Sequence, residues 1–125
     1  MNKRRLLKLA DLLEADAKND KGVKFDLGAW AELPAGEVTL DCQTTACAIG
    51  LACISSEFEE LTYRRSGWQR NGLVPLFKDF RGWDAVQRFF GLTEGQAYRL
   101  FNDSSYPEDK GERAVAYRIR RMVAA

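Results

Sequence analysis

The stretch Asp41-Cys42-Gln43-Thr44-Thr45-Ala46-Cys47-Ala48-Ile49-Gly50-Leu51-Ala52-Cys53-Ile54 decides the fold, because its last nine residues carry no charged side chain. A run of that kind cannot face water, and a helix apolar on every side is a buried one. Ala46, Ala48, Gly50 and Ala52 are poor strand formers, and Thr44 or Thr45 stands where an N-cap is needed. The expectation is a short central helix over residues 46–54, whose small side chains admit neighbouring backbones at close range.

Working outward, the chain of 125 residues is predicted to form one domain over 1–125. With 46% apolar and 30% charged residues it has an ordinary globular composition, so disorder is expected only at the ends. The formal charge of +1 conceals an asymmetry. Residues 1–62 hold 7 Lys/Arg against 11 Asp/Glu, a net −4, and residues 63–125 hold 12 against 7, a net +5. An anionic partner is therefore sought first on the second half.

There is no histidine. That excludes Ser-His-Asp and Cys-His nucleophile arrangements, His-ligated metals and the usual neutral-pH general base. Three cysteines make no disulfide framework, no signal peptide is recognisable, and no apolar run reaches the length of a membrane span. A cytoplasmic protein with reduced thiols is the expectation.

Before the central stretch, Leu6, Leu9, Ala10, Leu13 and Ala17 recur at helical spacing and predict an amphipathic first helix ending near 19–22. Phe25, Leu27 and Trp30 read as core anchors on a short extended or single-turn segment. After it, Tyr63, Asn71-Gly72 and the run Leu73-Val74-Pro75-Leu76-Phe77 give residues 61–77 the content of a small antiparallel hairpin, with Pro75 confining its strand to a sheet edge. Residues 83–90 predict a helix stopped by Gly91, and Thr93 with Gln96 has capping-box spacing for a helix to about 101. A last helix over 110–123 buries Val115, Ile119, Met122 and Val123 and turns Arg113, Arg120 and Arg121 outward. The resulting architecture is α+β, mostly α: about five helices around the 46–54 helix, with the hairpin laid on them. No internal repeat is evident.

Four constellations bear on chemistry. Cys42, Cys47 and Cys53 with Asp41 have poor spacing for a metal, since Cys53 lies about 240° around a helix from Cys47; no metal and no cofactor is expected. Cys47 near a helix N-terminus would be nucleophilic if exposed, but a small buried thiol is the reading preferred. The amides after Cys42, with Thr44 and Thr45, offer an anion site, to which Tyr63, Arg64, Arg65, Trp68 and Arg70 of the hairpin add cations and stacking surfaces. Finally, residues 86–102 look like a helix-turn-helix, in which Thr93, Glu94, Gln96 and Arg99 would meet DNA.

The order Phe25-Asp26-Leu27-Gly28-x-Trp30, Cys42-x-Thr44-x-Ala46-Cys47-Ala48-x-Gly50, then Phe90-Gly91-Leu92-Thr93-x-x-Gln96-Ala97-x-x-Leu100-Phe101 and a final amphipathic helix resembles a family of small proteins encoded by phages, prophages and many bacteria. Those proteins commonly carry Cys-Gly-Thr-x-x-Cys-x-x-Gly at the central point, where Gln43 stands in this chain for the usual Gly. The resemblance implies a domain and a phage setting, hence a small inhibitor or sequestering protein, and no reaction. Residues and resemblance together lead to the expectation of a non-enzymatic binding protein that sequesters an anionic small ligand such as a nucleotide, or caps a host protein. The alternative is a helix-turn-helix DNA-binding regulator using residues 83–102 and acting through Thr93, Gln96 and Arg99.

Overall fold

The computed structural model describes residues 1–19, 22–28, 30–32, 45–65, 72–108 and 110–125, residue 32 by its backbone alone. Asp41, Cys42, Thr44, Trp68 and Arg70 lie outside the described residues. Among the described residues, five helices and two small sheets make a mostly α, α+β structure: α1 (Lys3–Ala17), β1 (Lys24–Phe25), β2 (Ala31–Glu32), β3 (Thr45–Ala46), α2 (Ala48–Ile54), β4 (Thr62–Arg65), β5 (Leu73–Phe77), β6 (Phe80–Arg81), α3 (Trp83–Phe90), α4 (Glu94–Phe101), a 3₁₀ turn (Asp103–Ser105) and α5 (Glu112–Ala124).

The uncharged stretch divides between two elements. Ala48 to Cys53 are all buried in α2, as a helix without a polar face requires. Thr45 and Ala46 do not join it; they form β3, the middle strand of a sheet ordered β1-β3-β2 and parallel to β1. The cap expected at Thr44 or Thr45 is supplied by Cys47, which is extended (φ −82°, ψ −176°) and whose Sγ accepts the Gly50 N–H at 3.4 Å. Thr45 is already committed to strand pairing with Lys24 and Glu32, so it cannot turn back to cap.

The close backbone approach expected of the small residues is made at Gly50. The Trp30 carbonyl accepts the Cys47 N–H at 3.0 Å, and a Cβ on Gly50 would stand 1.7 Å from that same oxygen. The hydrogen bond holds the carbonyl where no side chain fits.

Around α2 the other elements form the core. Leu6, Leu9, Ala10 and Leu13 of α1 are buried on the face turned to α5, which contributes Val115, Ala116 and Ile119. Arg120 fastens the two helices from outside, donating to Asp11 at 2.6 Å and Glu14 at 2.8 Å. Exposed pairs of this kind stabilise little, so burial carries the packing. Asn2 N–H and the Arg5 guanidinium donate to Phe90 O and Phe89 O, satisfying the last carbonyls of α3.

The hairpin expected at 61–77 is present, with Thr62 opposite Leu76 and Arg65 opposite Leu73. Its second strand is not an edge, however: β5 lies between β4 and β6. Pro75 is tolerated there because its carbonyl accepts the Gly82 N–H at 3.0 Å, so its nitrogen faces the same side, beyond the two residues over which β6 pairs. α3 ends at Gly91 in the left-handed conformation, and Thr93 and Gln96 complete the capping box of α4, as their spacing predicts. No described helix is long and apolar enough to cross a membrane.

One buried contact is chemically unusual. Glu112, in the first turn of α5, reaches the carboxyl of Asp16 near the end of α1, and Asp16 Oδ2 and Glu112 Oε2 are both buried. Two carboxylate oxygens bring no donor, so the pair is comfortable only when one holds a proton. Burial, followed by the hydrogen bond to Asp16 and its charge, raises the Glu112 pKa well above its usual 4.5, with Arg113 opposing.

Gly50→Ala should destabilise the fold by about 3 kcal/mol, because the obstruction is backbone. Gly95→Ala, where an added Cβ meets nothing within 4 Å, should stabilise it by about 0.5–1 kcal/mol. Urea denaturation of the three proteins measures both, and equal midpoints for Gly50→Ala and the parent would refute the close approach. The raised pKa of Glu112 means that the folded chain keeps a proton the unfolded chain releases, so its contribution is greatest below about pH 4.5 and falls as pH rises. Compared from about pH 5 to about pH 8, Glu112→Gln should lose this downward slope and gain on the parent steadily. Parallel curves would dismiss the shared proton.

Candidate ligand-binding groove

The end of α4 is fixed by side chains arriving from the next two elements. Its carbonyls at Tyr98, Arg99 and Leu100 receive, in turn, Ser105 Oγ at 2.8 Å, Arg118 Nη1 at 2.9 Å and the buried Tyr106 hydroxyl at 2.6 Å. The Tyr98 carbonyl also accepts the Asn102 N–H at 3.0 Å, whereas those of Arg99 and Leu100, in the last turn, lack intrahelical donors and are used to attach something. Arg118 also lies over the Tyr106 ring at 3.8 Å, and burial pushes the Tyr106 phenol up to about 12. The phenol therefore stays a donor at neutral pH.

What this clamp holds open is a groove of about 1240 Å³ between α4, the loop around residues 105–108 and α5. Tyr98 on one wall and Tyr117 on the other are 39% and 60% exposed, two of the four large apolar side chains left in water among the described residues. Arg99, Arg118 and Arg121 line it, with Glu108 the acidic member among the described lining residues. Arg121 Nη1 donates to the Tyr117 hydroxyl at 3.3 Å. Tyr98 is itself stacked on Trp83 at 4.7 Å and 14°, and Trp83 packs on Trp30 at 4.9 Å. The wall is thus backed by a row of rings.

The residues expected from sequence fall in several places. Tyr63, Arg64 and Arg65 share β4, but alternation along a strand puts Arg64 on the face opposite the other two; Tyr63 is half-buried and both arginines are exposed. Thr45 belongs to the other sheet. Thr44, Trp68 and Arg70, the remaining members of that set, are outside the described residues. Of the helix-turn-helix set, Thr93 and Gln96 use their side chains on each other's backbone, at 3.2 and 3.0 Å. Gln96 and Arg99 line the groove, and α5 stands as its opposite wall rather than leaving α4 to project.

Sequence reading missed Tyr98, Tyr117, Arg118 and Arg121 as one surface. A signal was there: Ala97-Tyr98-Arg99-Leu100 recurs as Ala116-Tyr117-Arg118-Ile119. In both, the Ala and the aliphatic residue are fully buried and the Tyr is exposed. The same four-residue device therefore turns a Tyr-Arg pair toward the groove from each side.

Cys47 is not poised for nucleophilic chemistry. Desolvation pushes its thiol up to about 11 in spite of the amides of Ile49 and Gly50, and burial raises Cys53 further. Among the described residues, no group of three or more Cys, Asp or Glu is placed to hold a metal ion. Comparison with protein-family models, with curated proteins and with solved structures finds no match for this chain.

Alkylation of Cys47 and Cys53 in the native protein at neutral pH should be slow and accelerate only with denaturant, in step with unfolding. Mass spectrometry after timed iodoacetamide exposure reads this at each site. Rapid labelling at Cys47 under native conditions would contradict its burial.

Proposed function

We propose that the chain is a non-enzymatic binding protein that takes an anionic partner in the groove between α4 and α5. The observation that carries this reading is that Tyr98 and Arg99 from α4 and Tyr117 and Arg121 from α5 line one opening whose geometry is set beforehand by Ser105, Tyr106 and Arg118. Preorganisation lowers the cost of binding, since the side chains that define the walls lose little freedom when the ligand arrives. Cations beside exposed tyrosines attract negative charge and offer apolar area in the same place. This moves the proposed site from the hairpin, whose described cations are split between two faces, to the positively charged second half of the chain.

A sequestering or inhibitory role of phage type, in the cytoplasm, is the setting we attach to this reading; it follows from the sequence resemblance and from thiols suited to a reducing compartment. DNA binding through Thr93, Gln96 and Arg99 has less to support it, because two of the three side chains are engaged in capping.

Thermal shift with a panel of polyglutamate, single-stranded DNA and nucleoside triphosphates tests the groove. At least one should raise the melting temperature at low salt, with the effect falling as salt is added. An Arg99→Glu, Arg121→Glu double variant should abolish the shift without lowering the melting temperature of the free protein by more than a few degrees. A panel with no hit, or a hit indifferent to both substitutions, would end the proposal.

A further inference from the structure

Resting on that reading of the groove, we infer that its occupant is an acidic amphipathic helix presented by another protein. The opening, about 1240 Å³, exceeds the roughly 300–1,000 Å³ of ordinary small-molecule pockets and is bounded along its length by two helices. A mononucleotide would leave much of it wet. A helix lying between α4 and α5 would cover Ala114 and Met122 together with the exposed parts of Tyr98 and Tyr117, the helix-in-groove arrangement in which anchors recur at i, i+3 or i+4, and i+7. Tyr, Arg and Met are also the residue types enriched where proteins bind one another.

Charge selects the sign of the partner. Three arginines face one glutamate among the described lining residues. Arg118 is spent inside the fold, over Tyr106 and on Arg99 O, so recognition of carboxylates at the rim falls to Arg99 and to Arg121, whose contact with the exposed Tyr117 hydroxyl uses one of its five N–H donors. Among the described residues, the two acidic segments of a second copy are not free to supply the helix. Its acidic turn has Phe58 buried against Phe89 and Phe90, while Glu57 and Glu60 are paired with Lys8 and Arg5. The acidic face of α1 is likewise occupied, by Arg120.

The test is fluorescence anisotropy with labelled synthetic helical peptides and the full chain. One peptide carries Leu at i, i+3, i+4 and i+7 with Glu at other exposed positions; a second has Lys for every Glu; a third has Ser for every Leu. The Glu/Leu peptide should bind at least ~10-fold more tightly than either control. Arg99→Glu with Arg121→Glu should weaken it ~10-fold or more and transfer preference to the Lys peptide, while Tyr117→Ala should weaken both. Melting curves confirm that each variant is folded, and transfer of preference is a gain that misfolding cannot produce. If the Glu/Ser peptide binds as well as Glu/Leu, or if single-stranded DNA or a nucleoside triphosphate binds through Arg99 and Arg121 and no peptide does, the helix is refuted and the anionic groove stands. If no probe binds, or none responds to the two arginines, both readings fall.

Discussion

The Trp30 carbonyl is the atom on which the rest of this structure depends. It accepts the Cys47 N–H and so aligns β2 with the strand ahead of α2; at the same time it occupies the space a side chain at position 50 would need. One oxygen thus imposes both the start of the buried helix and the identity of a residue within it. The helix itself is only seven residues long, too short to persist alone. It exists because tertiary contacts hold it, and those contacts require the segment before it to lie extended. Three strands of two residues each would be equally marginal in isolation. Helix and sheet are therefore stable only jointly.

A second constraint, at the far end of the chain, produces the groove. The last carbonyls of α4 are met by side chains from the 3₁₀ turn and from α5, so the two helices and the loop between them behave as one body. Buried Ala97, Leu100, Ala116 and Ile119 hold the inner faces, and the outer faces are forced to present Tyr98, Arg99 and Tyr117. The exposed tyrosines are a cost to a chain that only had to fold, since apolar area left in water contributes nothing to stability. A partner that covers them recovers that area.

Much of the fold was legible because it is written locally. The spacing of Leu6, Leu9 and Leu13, Gly91 after Phe90, and Thr93 three residues before Gln96 each declare a helix or its boundary within one or two turns. The hairpin was readable for the same reason. What local patterns cannot show is pairing between distant two-residue strands: Lys24–Phe25, Ala31–Glu32 and Thr45–Ala46 are too short to display a period. Hence Thr45 was read as a cap when it is a strand, and Pro75 as an edge marker when only the brevity of β6 admits it. The groove was illegible for a related reason. Tyr98-Arg99 and Tyr117-Arg118 each look like ordinary helix surface, and only the packing of α4 beside α5 makes them one feature.

The row Trp30, Trp83, Tyr98 has an optical consequence. At centroid separations of 4.9 and 4.7 Å, excited states of neighbouring rings are electronically coupled and exchange energy. Their shared absorption bands add an aromatic contribution to the far-ultraviolet dichroism, so helical content read from that region alone would be misjudged. The same coupling makes the row an antenna: light absorbed by Tyr98 beside the groove is passed to Trp83 and Trp30, so it is the tryptophans that emit.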